Sequence, residues 1–171
     1  ERTILRAAPM KSEEAVKADD VLIRTLSGEK APFDFLEIRP SGSGGAAEVP
    51  KTLASLPAVR SDDAVRTRLF ELDMGLRSHT INGMEMDMAR VNEVVPVGET
   101  DIWEITNKSW MAHPFHIHDT QFRILDRGGK PPHPGEAGLK DTVVSYPKQT
   151  LRILVRFDEY TDPALPYMYH C

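Results

Sequence analysis

The chain has 171 residues, 40% of them hydrophobic and 27% charged, with a formal net charge of -5. That is enough for one hydrophobic core, or for one domain with a piece of another. No apolar run approaches the roughly 20 residues that cross a bilayer, which excludes a spanning helix, and no basic stripe exists to displace phosphate counterions, which argues against nucleic acid as a partner.

In chain order, "TILRA", "DVLIRTL" and "FDFLEIR" within the first 40 residues read as short strands, too few to bury a core alone. Next comes "PSGSGGAAEVPKTLASLPAVRSDDAV", whose Pro, Gly, Ser and Ala content reads as a linker over residues 41–65. From Arg66 the texture becomes closely spaced strands: "RTRLFELDM", "HTINGMEMD", "EVVPVGETDIWEITN", "AHPFHIHDTQFRILDRGG", "KDTVVSY" and "TLRILVRF". Turn signals separate them at Asn82-Gly83, Gly128-Gly129 and "KPPHPGEAG". Strands divided by Gly and Pro turns, with no long amphipathic helix, predict an all-β fold, an antiparallel β-sandwich.

The chemistry concentrates in "HPFHIH", which places His113, His116 and His118 within one strand-like segment. Alternation of side chains sends His116 and His118 to one face and Ile117 into the opposite layer. Pro114 cannot donate a ladder hydrogen bond, so a bend there lets His113 face a separate site. The sequence closes on "YMYHC", in which His170 and Cys171 point to opposite sides of an extended chain and are able to ligate two different metals through one peptide unit. One thiolate with imidazoles on a β-sandwich is the donor set of blue-copper sites. Cys171 is the only cysteine, so no internal disulfide forms. Starting at Glu1 and stopping at Cys171, the chain reads as a piece of something longer.

Other residues have plainer readings. Met84, Met86 and Met88 alternate and are expected to share a strand face packed into the core, although thioethers also suit Cu(I). Trp103 and Trp110 are expected to fill the sandwich, and His79 and His133 are given no ligand role. Asp141 in "KDTV" is expected either to orient a histidine or to stabilise a turn.

"HPFHIHDTQFRIL", "GLKDTV" and "YMYHC", with "INGMEMD" and "KTLASLP" before them, resemble the C-terminal cupredoxin domain of three-domain multicopper oxidases: the laccase, bilirubin oxidase and copper-efflux oxidase group. The resemblance implies a Greek-key cupredoxin sandwich over residues 66–171, incomplete at its C-terminus, with residues 1–40 as the tail of a preceding cupredoxin domain. It assigns His113 and Cys171 to type 1 copper, His116 to type 2, and His118 and His170 to type 3. It further implies that electrons from a small reducing substrate, phenolic or similar, cross Cys171 and His170 as the catalytic relay to a trinuclear copper cluster that reduces O₂ to water. The family pattern continues past Cys171 with the second type 1 histidine and an axial residue. It also draws on histidines from a first domain, so the remaining domains of the same oxidase are partners, and the isolated chain is expected to be inactive. Bacterial periplasm or secretion is the implied location. The methionine-rich insertion of the copper-efflux oxidases is missing, which puts Cu(I) as the specific substrate in doubt. A mononuclear electron carrier, a copper-free scaffold of the cell-division type and a cupin-like metal enzyme are the rival readings. The first leaves His116, His118 and His170 unexplained, the second leaves all five donors unexplained, and the third expects a Glu where "HIHDTQF" offers Asp119.

Overall fold

The computed structural model describes residues 3–7, 32–39, 41–42, 44, 48, 51–52, 55–56, 60–158 and 161–171. The predicted "DVLIRTL" strand lies outside the described residues. Two compact units form, Glu1–Ser55 and Leu56–Cys171. In the first, β1 (Thr3–Ala7) and β2 (Phe33–Ile38) pair antiparallel. Arg6 Nε donates to an Asp34 carboxyl oxygen at 2.5 Å across this pair.

The second unit includes, near its start, a short 3-10 turn at Ser61–Asp63. Its strands are β3 (Ala64–Met74), β4 (His79–Ile81), β5 (Thr100–Asn107), β6 (His113–Ile117), β7 (Phe122–Arg127), β8 (Thr142–Ser145), β9 (Thr150–Arg156) and β10 (Tyr169–His170). They make a five-stranded sheet ordered β4-β3-β5-β9-β7 and a three-stranded sheet ordered β10-β6-β8. Each buries one face. Phe115, Ile117 and Val143 from the small sheet meet Phe70, Leu72, Trp103, Ile105, Phe122, Ile124, Leu151, Ile153 and Val155 from the large one. Each fully buried apolar side chain of this size contributes about 1.5–3 kcal/mol. Aromatic rings tie the layers together, with Phe70 and Trp103 centroids 4.6 Å apart and Trp103 edge-on to Tyr169 at 5.5 Å.

The expected sandwich forms, with one difference in strand direction: β3 and β5 run parallel. A parallel pair needs a crossover of a dozen or more residues, and the stretch from Gly75 to Glu99 supplies it. Arg68 of β3 secures the pair, its Nε donating to the buried carboxylate of Asp101 at 2.6 Å. The glycine turns act as anticipated. Asn82 and Gly83 adopt φ of 54° and 73°, and Gly128 and Gly129 adopt 60° and 77°. Two successive positive-φ residues are the two-residue hairpin geometry that Asn and Gly tolerate. "AHPFHIHDTQFRILDRGG" is two strands rather than one. A tight turn at Asp119, φ 74°, has Thr120 N donating to His118 O at 2.9 Å and carries the chain from the small sheet to the large one.

Candidate metal centre

The β6–β10 ladder fixes where the donors point. Its register sets Tyr169 opposite Ile117 and His170 opposite His116. Ile117 and Phe115 are buried, so His113, two residues further back, lies on the same inner face at 7% exposure. Alternation turns His116 and His170 to the outer face and returns Cys171 to the inner one. The His118 amide donates to Met168 O at 2.9 Å, which holds the end of this segment beside β10.

On the outer face the nitrogen donors of His116, His118 and His170 lie within 4.8 Å of one another. The ring centroids are 4.9 to 5.4 Å apart, and the Nε2 atoms of His118 and His170 face each other at 3.2 Å. His116 Nδ1 sits 2.8 Å from the Asp141 backbone oxygen and 2.9 Å from the Thr142 hydroxyl. That hydroxyl donates its one proton to Asp141 Oδ1 at 2.9 Å, so Nδ1 of His116 carries the hydrogen and its Nε2 lone pair is left for the cluster. Asp141 therefore orients a histidine through its main-chain carbonyl, while its carboxylate, 4.0 Å from the ring nitrogen, engages Thr142.

On the inner face His113 Nδ1 lies 2.8 Å from Cys171 Sγ, and His113 Nε2 lies 2.8 Å from Ser109 Oγ. Burial, and secondarily the nearby His79, push the His113 pKa down, and burial pushes the Cys171 thiol up. Both shifts favour neutral forms. Without metal, a thiol S–H thus meets a neutral imidazole, although Cys171 as a whole residue is exposed. Ser109 and Thr142 carry no signal in the sequence. They are ordinary hydroxyl residues 4 and 26 positions from the histidines they touch, and only the folded contacts distinguish them.

Thus the five residues singled out in the sequence separate into His113 with Cys171 and His116 with His118 and His170, joined through the His170–Cys171 peptide. The donors are imidazole nitrogens and one sulfur, with no carboxylate in the set, which suits copper. His79 and His133 belong to neither group. His133 instead accepts from Gly135 N at 3.1 Å in the 3-10 turn Pro134–Glu136.

Beside the inner pair opens a cavity of about 880 Å³ whose lining includes His113, Cys171, Met84, Met86 and Met88. The expected packing of these methionines into the core does not occur: they are 40%, 64% and 75% exposed. After the Asn82-Gly83 turn only Met84 bridges back to Ile81, and the chain then leaves the sheet. Trp103 fills the core as anticipated, at 1% exposure. Trp110 does not, at 48%; with Met74, His79 and Met111 it borders a separate cavity of about 350 Å³.

Comparison with known proteins points the same way. Residues 58–171 match the model of the multicopper oxidase family. A laccase of Haloferax volcanii is 36% identical over 151 residues, 81% of this chain and 26% of the relative. A multicopper oxidase of Staphylococcus aureus is 40% identical over 96 residues, 54% of this chain and 21% of the relative. The solved laccase of Pediococcus acidilactici superposes with a TM-score of 0.66 at 34% identity, over 75% of this chain and 28% of that one. The chain spans about a quarter of the length of these relatives. The matched family region takes in the two-sheet unit from residue 58 and all five donor positions, and copper is the metal that family implies. On sequence, fold and donor chemistry together, this chain belongs to the multicopper oxidases.

Proposed function

We propose that the protein containing this chain couples one-electron oxidation of a phenolic or similar reducing substrate to the four-electron reduction of O₂ to water. The observation that carries the reading is the division of donors across one ladder: a sulfur–imidazole pair inside, three imidazoles outside, and a single peptide bond between Cys171 and His170. In this reading His113 and Cys171 hold type 1 copper, His116 holds type 2, and His118 and His170 hold type 3; when bound, copper supplies the one-electron redox chemistry.

The chain's own residues do the rest. Ser109 and Thr142 set which ring nitrogen of His113 and His116 is bare, and the apolar core beneath Phe115 and Ile117 holds the two faces at fixed separation. The cavity beside His113 and Cys171 gives a small donor a place to approach the inner pair. The remaining donors of both centres come from other segments of the same oxidase, and residues 1–40 are the tail of a preceding cupredoxin domain, joined by the linker over 41–65. We place the protein in the periplasm or outside the cell; among the described residues no helix is long and apolar enough to cross a membrane.

Copper analysis, visible spectra and O₂ uptake of the full-length protein test this. The expected result is copper at a thiolate centre and at an imidazole cluster, with O₂ consumed when a phenol is added. Copper at the thiolate centre alone would favour an electron carrier, no copper a scaffold, and copper-loaded protein that consumes no O₂ with phenols or Cu(I) would overturn the oxidase assignment.

A further inference from the structure

Three residues of the 107–113 segment form a closed hydrogen-bond chain behind His113. Asn107, fully buried, directs its Nδ2 to two acceptors that have no proton to give, Met111 O at 2.7 Å and Ser145 O at 2.9 Å. This settles the orientation of the amide, so Asn107 Oδ1 must face Ser109. There it accepts from Ser109 N at 2.9 Å and from Ser109 Oγ at 2.7 Å. The hydroxyl has a single proton. Its other neighbours are Met111 O at 3.0 Å, a pure acceptor, and Met111 N at 3.2 Å, a donor. With its proton committed to an acceptor-only oxygen, Ser109 Oγ has only lone pairs to offer His113 Nε2 at 2.8 Å. The imidazole must be the donor of that bond.

We propose that Ser109 is a positioning residue which, locked by Asn107, holds His113 as the Nε2–H tautomer and so presents a bare Nδ1 to the Cys171 sulfur and to the metal the two share. Only the clause about metal rests on the proposed copper function; the tautomer belongs to the metal-free protein as well. A ring nitrogen whose partner nitrogen donates to a fixed oxygen is a more basic ligand, and removal of such an outer partner costs about 10-fold to 100-fold in metal affinity. Ser109 is 2% exposed, so water cannot readily take its place.

The test uses the full-length protein with Ser109→Ala and Ser109→Thr. In metal-free samples, ¹⁵N–¹H correlation of the histidine rings should report Nε2–H for His113 in wild type and in the Thr variant, and a mixture with Nδ1–H in the Ala variant. Copper competition against a chelator should show about 10-fold to 100-fold weaker binding at the thiolate centre in Ser109→Ala, restored by Thr. Should the Ala variant not fold, Ser109→Cys, of similar shape but a weak acceptor, takes its place. An Nδ1–H ring in wild type, or a tautomer and copper affinity unmoved by loss of the hydroxyl, would overturn the proposal. Wild-type protein that binds no copper at His113 and Cys171 defeats the functional reading instead, and the ring tautomers still decide the role of Ser109.

Discussion

The two faces of the β6–β10 ladder differ in what they owe to folding. On the inner face His113 and the Cys171 sulfur extend the line of Phe115, Ile117 and Tyr169, against an aromatic cluster and a buried Asn–Ser relay. On the outer face His116, His118 and His170 are part or fully exposed and touch mainly one another, Asp141 and Thr142. The same chain therefore sets one histidine against its core and groups three others on its surface. Damage to the inner face should appear first as lost stability, and damage to the outer face as lost metal binding in a folded protein.

The largest expected effect is Phe115→Ala, which empties a fully buried position between the sheets and should cost about 3–5 kcal/mol. Denaturant unfolding would measure it, and a loss under about 1 kcal/mol would break the contrast. Asn107→Ala comes next: it strips hydrogen bonds from Met111 O, Ser145 O and the Ser109 hydroxyl and should cost about 1–3 kcal/mol.

A smaller effect follows from titration of the metal-free protein. The folded pKa of His113 is depressed, so the unfolded chain takes up the proton first, and stability is lost as pH falls from about 6.5 through the lower folded value. The Cys171 thiol is raised, so stability is also lost as pH rises above about 8.5 through its folded value. Melting temperature against pH should fall on both sides; bound copper, by fixing the deprotonated forms in the folded state, should remove the alkaline slope and steepen the acid one. The smallest change in stability belongs to the exposed His118→Ala, within about 0.5 kcal/mol. Metal analysis should nonetheless show the outer cluster depleted while the thiolate absorption persists; loss of that absorption as well would mean that the two faces are not separable.

Much of this was legible in advance, because β-strand alternation is a local rule. H-x-x-H-x-H put His116 and His118 on one side, and the terminal His-Cys put its two residues on opposite sides, once the segments were read as strands. His113, however, reaches the inner face by regular alternation through Pro114 and not by the expected bend. Asn82-Gly83 and Gly128-Gly129 located the hairpins by their tolerance of positive φ. The methionines misled because the same alternation occurs in a loop: "MEMDM" has strand spacing, yet after Met84 no partner strand takes it up. The turn at Asp119 was hidden because Asp and Thr interrupt "HIHDTQF" without a glycine or proline to mark it.

The amino-acid order alone determined the donor chemistry, the all-β character and that His116 and His118 share a side, since these follow from residue type and a two-residue period. Only the tertiary structure decided that β3 and β5 run parallel, that the sulfur meets the ring of residue 113 at 2.8 Å, and that Ser109 and Thr142 choose the bare nitrogen of each imidazole. Those facts depend on which distant segments are brought side by side. Strand direction, cross-sheet contact and hydrogen-bond direction are properties of pairs, and no local pattern in a single segment encodes its partner.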